Sequence, residues 1–236
     1  MTKRNEGGGR RAVALTIAGS DSGGGAGIQA DLKTFHRFGV FGTSALTLVT
    51  AQNSVGVREL QRLPPALVAR QIDAVAEDFD LRAAKTGALG SAEVIEAVAC
   101  AVERHRIPNL VVDPVMISKH GDALLPEDAV EALRREILPR AALLTPNLHE
   151  AAALLGARVE TESEMRDAAR ALRELGPAAV LVKGGHRAGD EAVDLFYDGA
   201  AFVRLAAPRV DTPHTHGTGC TYSAAITALL ARGEPL

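Results

Sequence analysis

The sequence predicts an α/β protein in which a mostly parallel central sheet lies between two layers of helices. Short, nearly continuous apolar runs, such as residues 12–18 and 179–182, are typical of strands buried on both faces. They alternate with segments whose apolar residues keep helical spacing, such as 28–35 and 161–175. This alternation implies right-handed crossovers with helices on both faces of the sheet, and therefore a three-layer α/β/α sandwich.

Length and composition fit one domain. The chain has 236 residues, of which 47% are hydrophobic and 23% charged, so it can bury a full core. Only 3% are aromatic and none is Trp, which leaves Ala, Val and Leu to fill that core. Residues 1–11, with Gly7-Gly8-Gly9 between charged residues, are expected to form a disordered tail. Residues 12–236 then form a single domain.

The net charge limits the binding partners expected for this chain, and its cysteine content indicates the cellular compartment. The net charge of −3 argues against nucleic acid or an anionic membrane as a partner. No apolar stretch approaches the length of a membrane span, and no signal-peptide pattern is apparent. The two cysteines, Cys100 and Cys220, lie far apart and form no disulfide framework, so we expect a cytoplasmic protein. Cys100 is expected to be a buried structural thiol in the helix predicted at 92–103.

A glycine-rich loop at residues 19–27 separates the first strand from the first helix. Residues 25–30 fit a loose dinucleotide fingerprint, but the second strand, residues 44–50, ends in Ala51-Gln52-Asn53 and lacks the acidic residue that would hold a ribose. No Gly-Lys-Ser/Thr string exists, so a P-loop is absent. The remaining interpretation is a loop whose backbone lets a small ligand approach closely.

Gln52 and Asn53 follow the second predicted strand. Side chains past the carboxyl end of a parallel strand point into the crevice where ligands bind. An amide there can donate to and accept from the edge of a heterocycle. A polar strand end solvated by water explains the same residues equally well.

Two further strands end in Pro-containing strings. Asp113-Pro114 follows the strand at 109–112, which places Asp113 at the strand mouth. Thr145-Pro146 precedes Asn147, and Glu150 comes three residues later, a spacing that favours an N-terminal capping arrangement. The alternative is a set of oxygen ligands near Mg²⁺, and the two roles can coexist.

The second half of the chain carries three more signals. Lys183 follows the strand at 179–182 and precedes two glycines, which suits a nucleotide phosphate, although a solvated turn produces the same string. A hairpin is predicted over 193–205 with its turn at Asp198-Gly199. His214 and His216 have no third ligand nearby, so they are not interpreted as a zinc site.

The string Thr215-His216-Gly217-Thr218-Gly219-Cys220-Thr221 runs into an apolar helix and is the strongest candidate for chemistry. Successive glycines let backbone N–H groups converge on an anion, and the start of the helix adds unpaired N–H groups. A thiol there is expected to have a lowered pKa. A phosphate cradle beside an acid/base residue indicates a phosphotransferase. The alternative is a glycine loop before an ordinary helix with a buried cysteine.

Together these strings resemble the hydroxymethylpyrimidine/phosphomethylpyrimidine kinases of thiamine biosynthesis, within the ribokinase-like superfamily. The resemblance covers residues 12–236, and its motifs occur in the family's order. They are Ala18-Gly19-Ser20-Asp21 through Phe35, Ala51-Gln52-Asn53, Lys85-Thr86-Gly87, Asp113-Pro114-Val115-Met116, Thr145-Pro146-Asn147-Leu148-His149-Glu150, Val182-Lys183-Gly184-Gly185-His186 and the 215–221 string.

The resemblance implies a role for each group of residues. Cys220 would be the catalytic base that deprotonates the substrate hydroxymethyl group. The other implied roles are the pyrimidine pocket for Gly19, Ala26, Asp31 and Gln52; Mg²⁺ for Asp113, Asn147 and Glu150; ATP for Lys183, Gly185 and Thr218; and the anion hole for Gly217, Thr218 and Gly219.

The implied reaction is ATP-dependent phosphorylation of 4-amino-5-hydroxymethyl-2-methylpyrimidine and of its monophosphate, by a homodimer. Most members of the superfamily place Asp where Cys220 stands, and the pyrimidine branch carries Cys, which favours a pyrimidine over a sugar. A pyridoxal or pyridoxine kinase and a non-catalytic pyrimidine-binding protein are the alternatives. Relatives continue with further helices, so the domain is expected to be short at its C-terminus. Ala88 replaces a larger apolar residue of many relatives, which predicts a looser pocket.

Overall fold

A computed structural model of the chain describes residues 11–116, 125–185 and 190–236. These residues form one nine-stranded sheet, in the order β3-β2-β1-β4-β5-β6-β7-β8-β9. Six adjacent strands of this order, β2, β1, β4, β5, β6 and β7, run parallel, whereas β3, β8 and β9 pair antiparallel at the two edges. The strands are β1 (Val13–Asp21), β2 (Phe41–Asn53), β3 (Gly56–Arg62), β4 (Leu81–Thr86), β5 (Leu110–Val112), β6 (Leu143–Leu144), β7 (Val180–Lys183), β8 (Glu191–Tyr197) and β9 (Phe202–Pro208).

Seven α-helices within the described ranges cover both faces of this sheet. α1 and α7 pack on one face, and the other five helices pack on the opposite face. α4 continues through a π-helical turn, Leu133–Ile137, and a 3-10 turn, Leu138–Arg140. The helices are α1 (Gly27–Arg37), α2 (Pro65–Asp78), α3 (Ala92–Arg104), α4 (Glu127–Ala132), α5 (Leu148–Leu155), α6 (Glu162–Arg173) and α7 (Thr218–Ala231). The predicted three-layer α/β/α fold is therefore confirmed.

Two apolar clusters explain why the layers hold together. On the α1/α7 face, one apolar cluster contains Phe35 of α1, Ala224 of α7 and the sheet residues Val111, Leu143 and Leu181. The opposite face carries a larger cluster dominated by Val, Leu, Ile and Ala. Aliphatic side chains thus fill the core, as the scarcity of aromatic residues predicts. Among the helices of the described ranges, none is both long and apolar enough to cross a bilayer.

The second strand is longer than its apolar run suggests. The prediction that Gln52 and Asn53 lie beyond the strand was wrong, because both belong to β2 and pair with β3, opposite Val57 and Gly56. The hairpin predicted in the second half is confirmed: β8 and β9 pair, with Asp198 and Gly199 in their turn.

Cys100 corrects another expectation. The helix predicted around it is present as α3, but Cys100 is exposed rather than buried. The buried face of α3 is formed by Val94, Ile95, Val98 and their neighbours, and Cys100 projects outside that stripe. The predicted tail lies outside the described residues except for Arg11, and His186 also lies outside them.

Candidate active site

The polar strings gather at the carboxyl ends of the parallel strands, where loops leave β1, β4, β5, β6 and β7. Two adjoining pockets occupy this edge. Because the strands run parallel, residues that are distant in sequence meet there. The structure thus brings the predicted residues, except Asp31, into one crevice.

The first pocket is narrow and has a cavity volume of about 60 Å³. Gly19, Ala26 and Gln52 line it as predicted, together with Ala88. A Cβ atom on Gly19 would come within 2.5 Å of Leu48 Cδ1, so the glycine lets Leu48 pack against the pocket wall. Gln52 is oriented locally, since the Thr50 hydroxyl donates a 3.0 Å hydrogen bond to its Oε1. The pocket therefore combines a mostly apolar wall with one oriented amide.

The second pocket is a wider cleft with a volume of about 690 Å³. It contains every residue predicted to bind metal, ATP or the transferring phosphoryl group, namely Asp113, Asn147, Glu150, Lys183, Gly185, Gly217, Thr218 and Gly219. Cys220 lines both pockets, as do Ala26, Gln52 and Val115. A molecule in the narrow pocket and a molecule in the cleft would therefore meet at Cys220.

The loop before α7 is built on a left-handed glycine. Gly217 is the N-cap residue of α7 and has φ = 81°. A side chain at this position would also overlap the carbonyl oxygen of Gly25, so the two glycine loops are in direct contact. No side chain in the described structure caps the start of α7. The Thr218 N–H donates to the Thr215 carbonyl oxygen at 3.3 Å, whereas the next N–H groups of the first turn have no acceptor within the helix. This arrangement matches an anion cradle.

Asp21 joins the two glycine loops. Its carboxylate accepts hydrogen bonds from the N–H groups of Gly23 (2.8 Å), Gly25 (3.1 Å) and Ala26 (2.9 Å). His216 Nε2 lies 2.8 Å from Asp21 Oδ2. Burial opposes ionisation of Asp21, but the hydrogen bonds from His216 and the backbone prevail and lower its pKa. Asp21 therefore fixes the loop of the narrow pocket against the anion loop.

The expected lowering of the Cys220 pKa was wrong. Cys220 is half-buried as a residue, and burial of its thiol raises the pKa to about 11. The charge of Lys85 and a hydrogen bond from the Gly27 N–H favour the thiolate, but the carboxylates of Asp113 and Asp31 oppose it. A helix start contributes up to about 2 kcal/mol and desolvation of a fully buried group shifts a pKa by several units, so burial dominates.

Asp113 lies between two donors. Lys183 Nζ donates to its Oδ1 at 3.0 Å, and the Ser223 hydroxyl of α7 donates to its Oδ2 at 3.1 Å. Burial would raise the pKa of Asp113, but Lys183 and Lys85 lower it, so the group stays a carboxylate. Conversely, Asp113 and Glu150 raise the pKa of Lys183 against the effect of burial. An ion pair is thus held in the cleft.

Asn147 and Glu150 form the predicted capping box at the start of α5. The Glu150 N–H donates to Asn147 Oδ1 at 2.9 Å, and the Asn147 N–H donates to Glu150 Oε2 at 2.8 Å. Burial, together with the charge of Asp113, raises the pKa of Glu150 to about 7. Two buried carboxylates that repel each other fit a divalent cation, which would relieve the repulsion. The capping role does not exclude a metal role.

The sequence also matches a family of known proteins. A family model described as phosphomethylpyrimidine kinase matches residues 21–236. The chain belongs to the phosphomethylpyrimidine kinase family. It is therefore a phosphotransferase.

Curated relatives of this kinase extend over most of the chain. The hydroxymethylpyrimidine/phosphomethylpyrimidine kinase of Rhizobium meliloti is 53% identical over 226 residues, covering 95% of this chain and 85% of that protein. The thiamine biosynthesis bifunctional protein ThiED of Geobacter sulfurreducens is 50% identical over 226 residues. The match covers 96% of this chain and 46% of that protein, so the kinase spans about half the length of the bifunctional protein.

A solved structure shows the same fold with a nucleotide. It is the ADP complex of pyridoxal kinase from Bacillus subtilis, which has a TM-score of 0.89 and 40% sequence identity. The superposition covers 95% of this chain and 86% of that chain.

Asp31 is the predicted pocket residue that the kinase structure places elsewhere. Its side chain is fully buried and does not line either pocket, because it points beneath the narrow pocket to Thr16 and Lys85. Lys85, which lines that pocket, was assigned no role from the sequence. The available signal was a lysine directly after the apolar pair Ala83-Ala84, inside what proves to be β4.

Proposed function

We propose that this chain transfers the γ-phosphoryl group of ATP to the hydroxymethyl group of 4-amino-5-hydroxymethyl-2-methylpyrimidine, and then to the monophosphate formed, in thiamine biosynthesis. The observation that carries the proposal is the position of Cys220 at the wall shared by the narrow pocket and the cleft. The names of the relatives support the same substrates.

The narrow pocket is the proposed pyrimidine site. Gly19 and Ala26 leave room for a flat ring, and the Gln52 amide faces its polar atoms. Asp31 acts from below the pocket and does not contact the ring. Ala88 lines the same pocket, which supports a looser fit on that side.

The cleft is the proposed site of MgATP. Gly217, Thr218 and Gly219 surround the transferring phosphoryl group with N–H donors, while Lys183, Gly185 and Thr218 face the nucleotide phosphates. Asp113, Asn147 and Glu150 would hold Mg²⁺, partly through water. When bound, Mg²⁺ supplies charge neutralisation for the phosphates.

Cys220 is the proposed base. Its thiolate accepts the hydroxymethyl proton as the substrate oxygen bonds to the γ-phosphorus, and the bond from that phosphorus to the ADP oxygen breaks. A thiol of pKa about 11 is ionised in only about one molecule in 10⁴ at pH 7. Binding of Mg²⁺ beside Asp113 would raise that fraction, because Asp113 opposes the thiolate.

Release of ADP tests the proposal directly. The chain is incubated with MgATP and separately with hydroxymethylpyrimidine, its monophosphate and pyridoxal. We expect release with both pyrimidines. Cys220→Ala should lower turnover by about 10²–10⁴-fold, the usual worth of a general base, while pyrimidine affinity changes by less than a few fold. Near-normal turnover in that variant would remove Cys220 as the base.

Pyridoxal is the second candidate substrate, because the pyridoxal kinase structure shares the fold at 40% identity. Pyridoxal also presents a hydroxymethyl group on a small heteroaromatic ring. A kcat/KM for pyridoxal well above that for the pyrimidine would assign the chain to this activity. Pyrimidine binding without any ADP release would instead indicate a non-catalytic binding protein.

Two finer expectations accompany this function. We propose a homodimer working in the cytoplasm, with ATP and the small-molecule substrate as its ligands and neither nucleic acid nor membrane as a partner. The small net charge of −3 supports the proposal that neither nucleic acid nor membrane is a partner. Sedimentation equilibrium at micromolar concentration measures the oligomeric state, and a monomer there would contradict the dimer.

A further inference from the structure

Lys85 is a charged residue in an unusual place. It lies on β4 beneath the narrow pocket, and its side chain has no exposure to solvent. Burying an ammonium group is costly unless a partner offsets the lost hydration. Such a group is therefore held in the fold by specific contacts, and its surroundings indicate what it does.

Asp31 of α1 is the partner of Lys85. Lys85 Nζ lies 3.1 Å from Asp31 Oδ2, and the Thr16 hydroxyl donates to the same oxygen at 2.6 Å. Asp31 is also fully buried, and its Oδ1 has no hydrogen-bond partner among the described residues. The pair is anchored at one end, while Lys85 reaches the pocket that Cys220 also lines.

The groups facing the Cys220 thiol have opposite effects. Lys85 from β4 favours the thiolate most, and the backbone N–H of Gly27 favours it as well. Asp113, after β5, and Asp31 of α1 oppose it. Lys183 of β7 also interacts electrostatically with Cys220, but its hydrogen-bonded partner is Asp113. The two lysines therefore differ in their partners. Lys183 pairs with Asp113 of the proposed metal site, whereas Lys85 pairs with Asp31, which lies outside both the cleft and that site.

We propose that Lys85 is a positioning residue for phosphoryl transfer: its ammonium group, oriented by Asp31 and Thr16, stabilises the Cys220 thiolate that accepts the substrate proton. This inference depends on the proposed role of Cys220. Lys85 keeps its own proton throughout, because Asp31, Cys220 and Asp113 hold its pKa above the usual value against the effect of burial. The proton moves from the hydroxymethyl oxygen to sulfur, and Lys85 balances the charge before that transfer.

Alkylation of Cys220 tests the charge effect without turnover. In a Cys100→Ser background, which removes the exposed second thiol, iodoacetamide is added between pH 7 and 9.5 and the Cys220 peptide is followed by mass spectrometry. The rate reports the thiolate fraction. Lys85→Met should slow alkylation at least tenfold at every pH in this range. Lys85→Arg, which retains the charge, should restore at least part of the rate.

The opposite change in the partner separates charge from structure. Asp31→Asn removes a negative charge that opposes the thiolate, so it should accelerate alkylation several-fold. A merely structural pair would loosen the pocket in both variants, hydrate the thiol and accelerate alkylation in both, which would overturn the proposal. An unchanged rate in Lys85→Met would do the same. If Lys85→Met does not fold, Lys85→Gln replaces it in the same measurement, because an unchanged or faster alkylation rate in that neutral variant contradicts the electrostatic role.

The same variants separate this inference from the proposed function. If Cys220→Ala in the Cys100→Ser background keeps its turnover, Cys220 is not the base, whatever the alkylation rates show. If Cys220→Ala loses turnover but Lys85→Met alkylates at the normal rate, the base stands and the role of Lys85 fails. If both hold, Lys85→Met should also lose kcat with a much smaller change in KM.

Discussion

At the scale of single residues, burial of the Cys220 thiol affects its pKa more than its location at the start of a helix does. The first turn of α7 offers N–H groups and a positive dipole end, both of which favour an anion. The thiol is nevertheless surrounded by protein and faces two carboxylates, and its pKa rises to about 11. The resting enzyme therefore holds a protonated thiol at neutral pH.

This raised pKa predicts how turnover depends on pH. Below a pKa of about 11 the thiolate is the minor form, and its fraction grows tenfold with each pH unit. We expect log(kcat/KM) to rise with a slope near one between pH 8 and 9.5, a range in which Glu150, with a pKa of about 7, is already ionised. Steady-state ADP release measures the profile.

Cys100→Ser provides the control for that profile, because Cys100 is exposed on α3 and lines neither pocket. Its pH dependence should superimpose on that of the unmodified chain. A flat profile between pH 8 and 9.5 would mean that deprotonation of Cys220 does not limit the reaction.

At the scale of elements, the contact between the two glycine loops shapes the site. Gly217→Ala should lower turnover at least tenfold, because the new methyl group overlaps the Gly25 carbonyl and displaces the start of α7. The variant also places a non-glycine residue at φ = 81°, which costs about 1–2 kcal/mol by itself. Steady-state kinetics and thermal unfolding measure the two effects.

Gly39→Ala is the matched control. Gly39 also has a positive φ of 76°, but a Cβ there meets nothing within 4 Å. It should lose only the conformational term and keep normal turnover. Equal losses of turnover in the two variants would show that the contact between the loops is not what holds the anion cradle.

Elements were predictable where a local rule fixes them. The capping box of Asn147 and Glu150 and the turn at Asp198-Gly199 follow from neighbouring residues alone, and both are present. Gln52 was misplaced because a partner strand, β3, extends β2 beyond its apolar run. Cys100 was misplaced because a short apolar residue within an apolar helix can lie just outside the buried stripe.

Parts of the site could not be predicted because they depend on contacts across the fold. Lys85 and Asp31 are 54 positions apart, and only the packing of α1 against the sheet makes them partners. The pKa of Cys220 depends on burial of its thiol and on the charges of Lys85, Asp113 and Asp31, which no local string encodes. The motifs predicted most of the residues that line the two pockets, whereas the pKa shifts of those residues could not be read from the motifs.

At the scale of the whole molecule, ligands should stabilise the entire domain, because all six parallel strands, or the loops that follow them, contribute to one crevice. A ligand at about 100 times its Kd adds about 2.7 kcal/mol to the free energy of unfolding. For a chain of this length that corresponds to a rise in Tm of roughly 5–10 °C. Differential scanning fluorimetry with hydroxymethylpyrimidine or MgATP measures it.

The concentration dependence supplies the control for this measurement. Each further tenfold increase in ligand should add about 1.4 kcal/mol, and thus a further similar step in Tm. A shift that saturates at equimolar ligand, or no shift with either substrate, would contradict binding at a site built from the folded sheet.

The contact between Asp21 and His216 also limits when the nascent protein can complete its fold. The two residues are 195 positions apart, so the ribosome must synthesise nearly all of the domain before this contact can form. Until then α7 is missing, and the apolar side of α1 and of the strands beneath it has no cover. The emerging chain would therefore expose this apolar surface for most of its synthesis. Chaperones should bind this face, and a stalled chain should aggregate through it first.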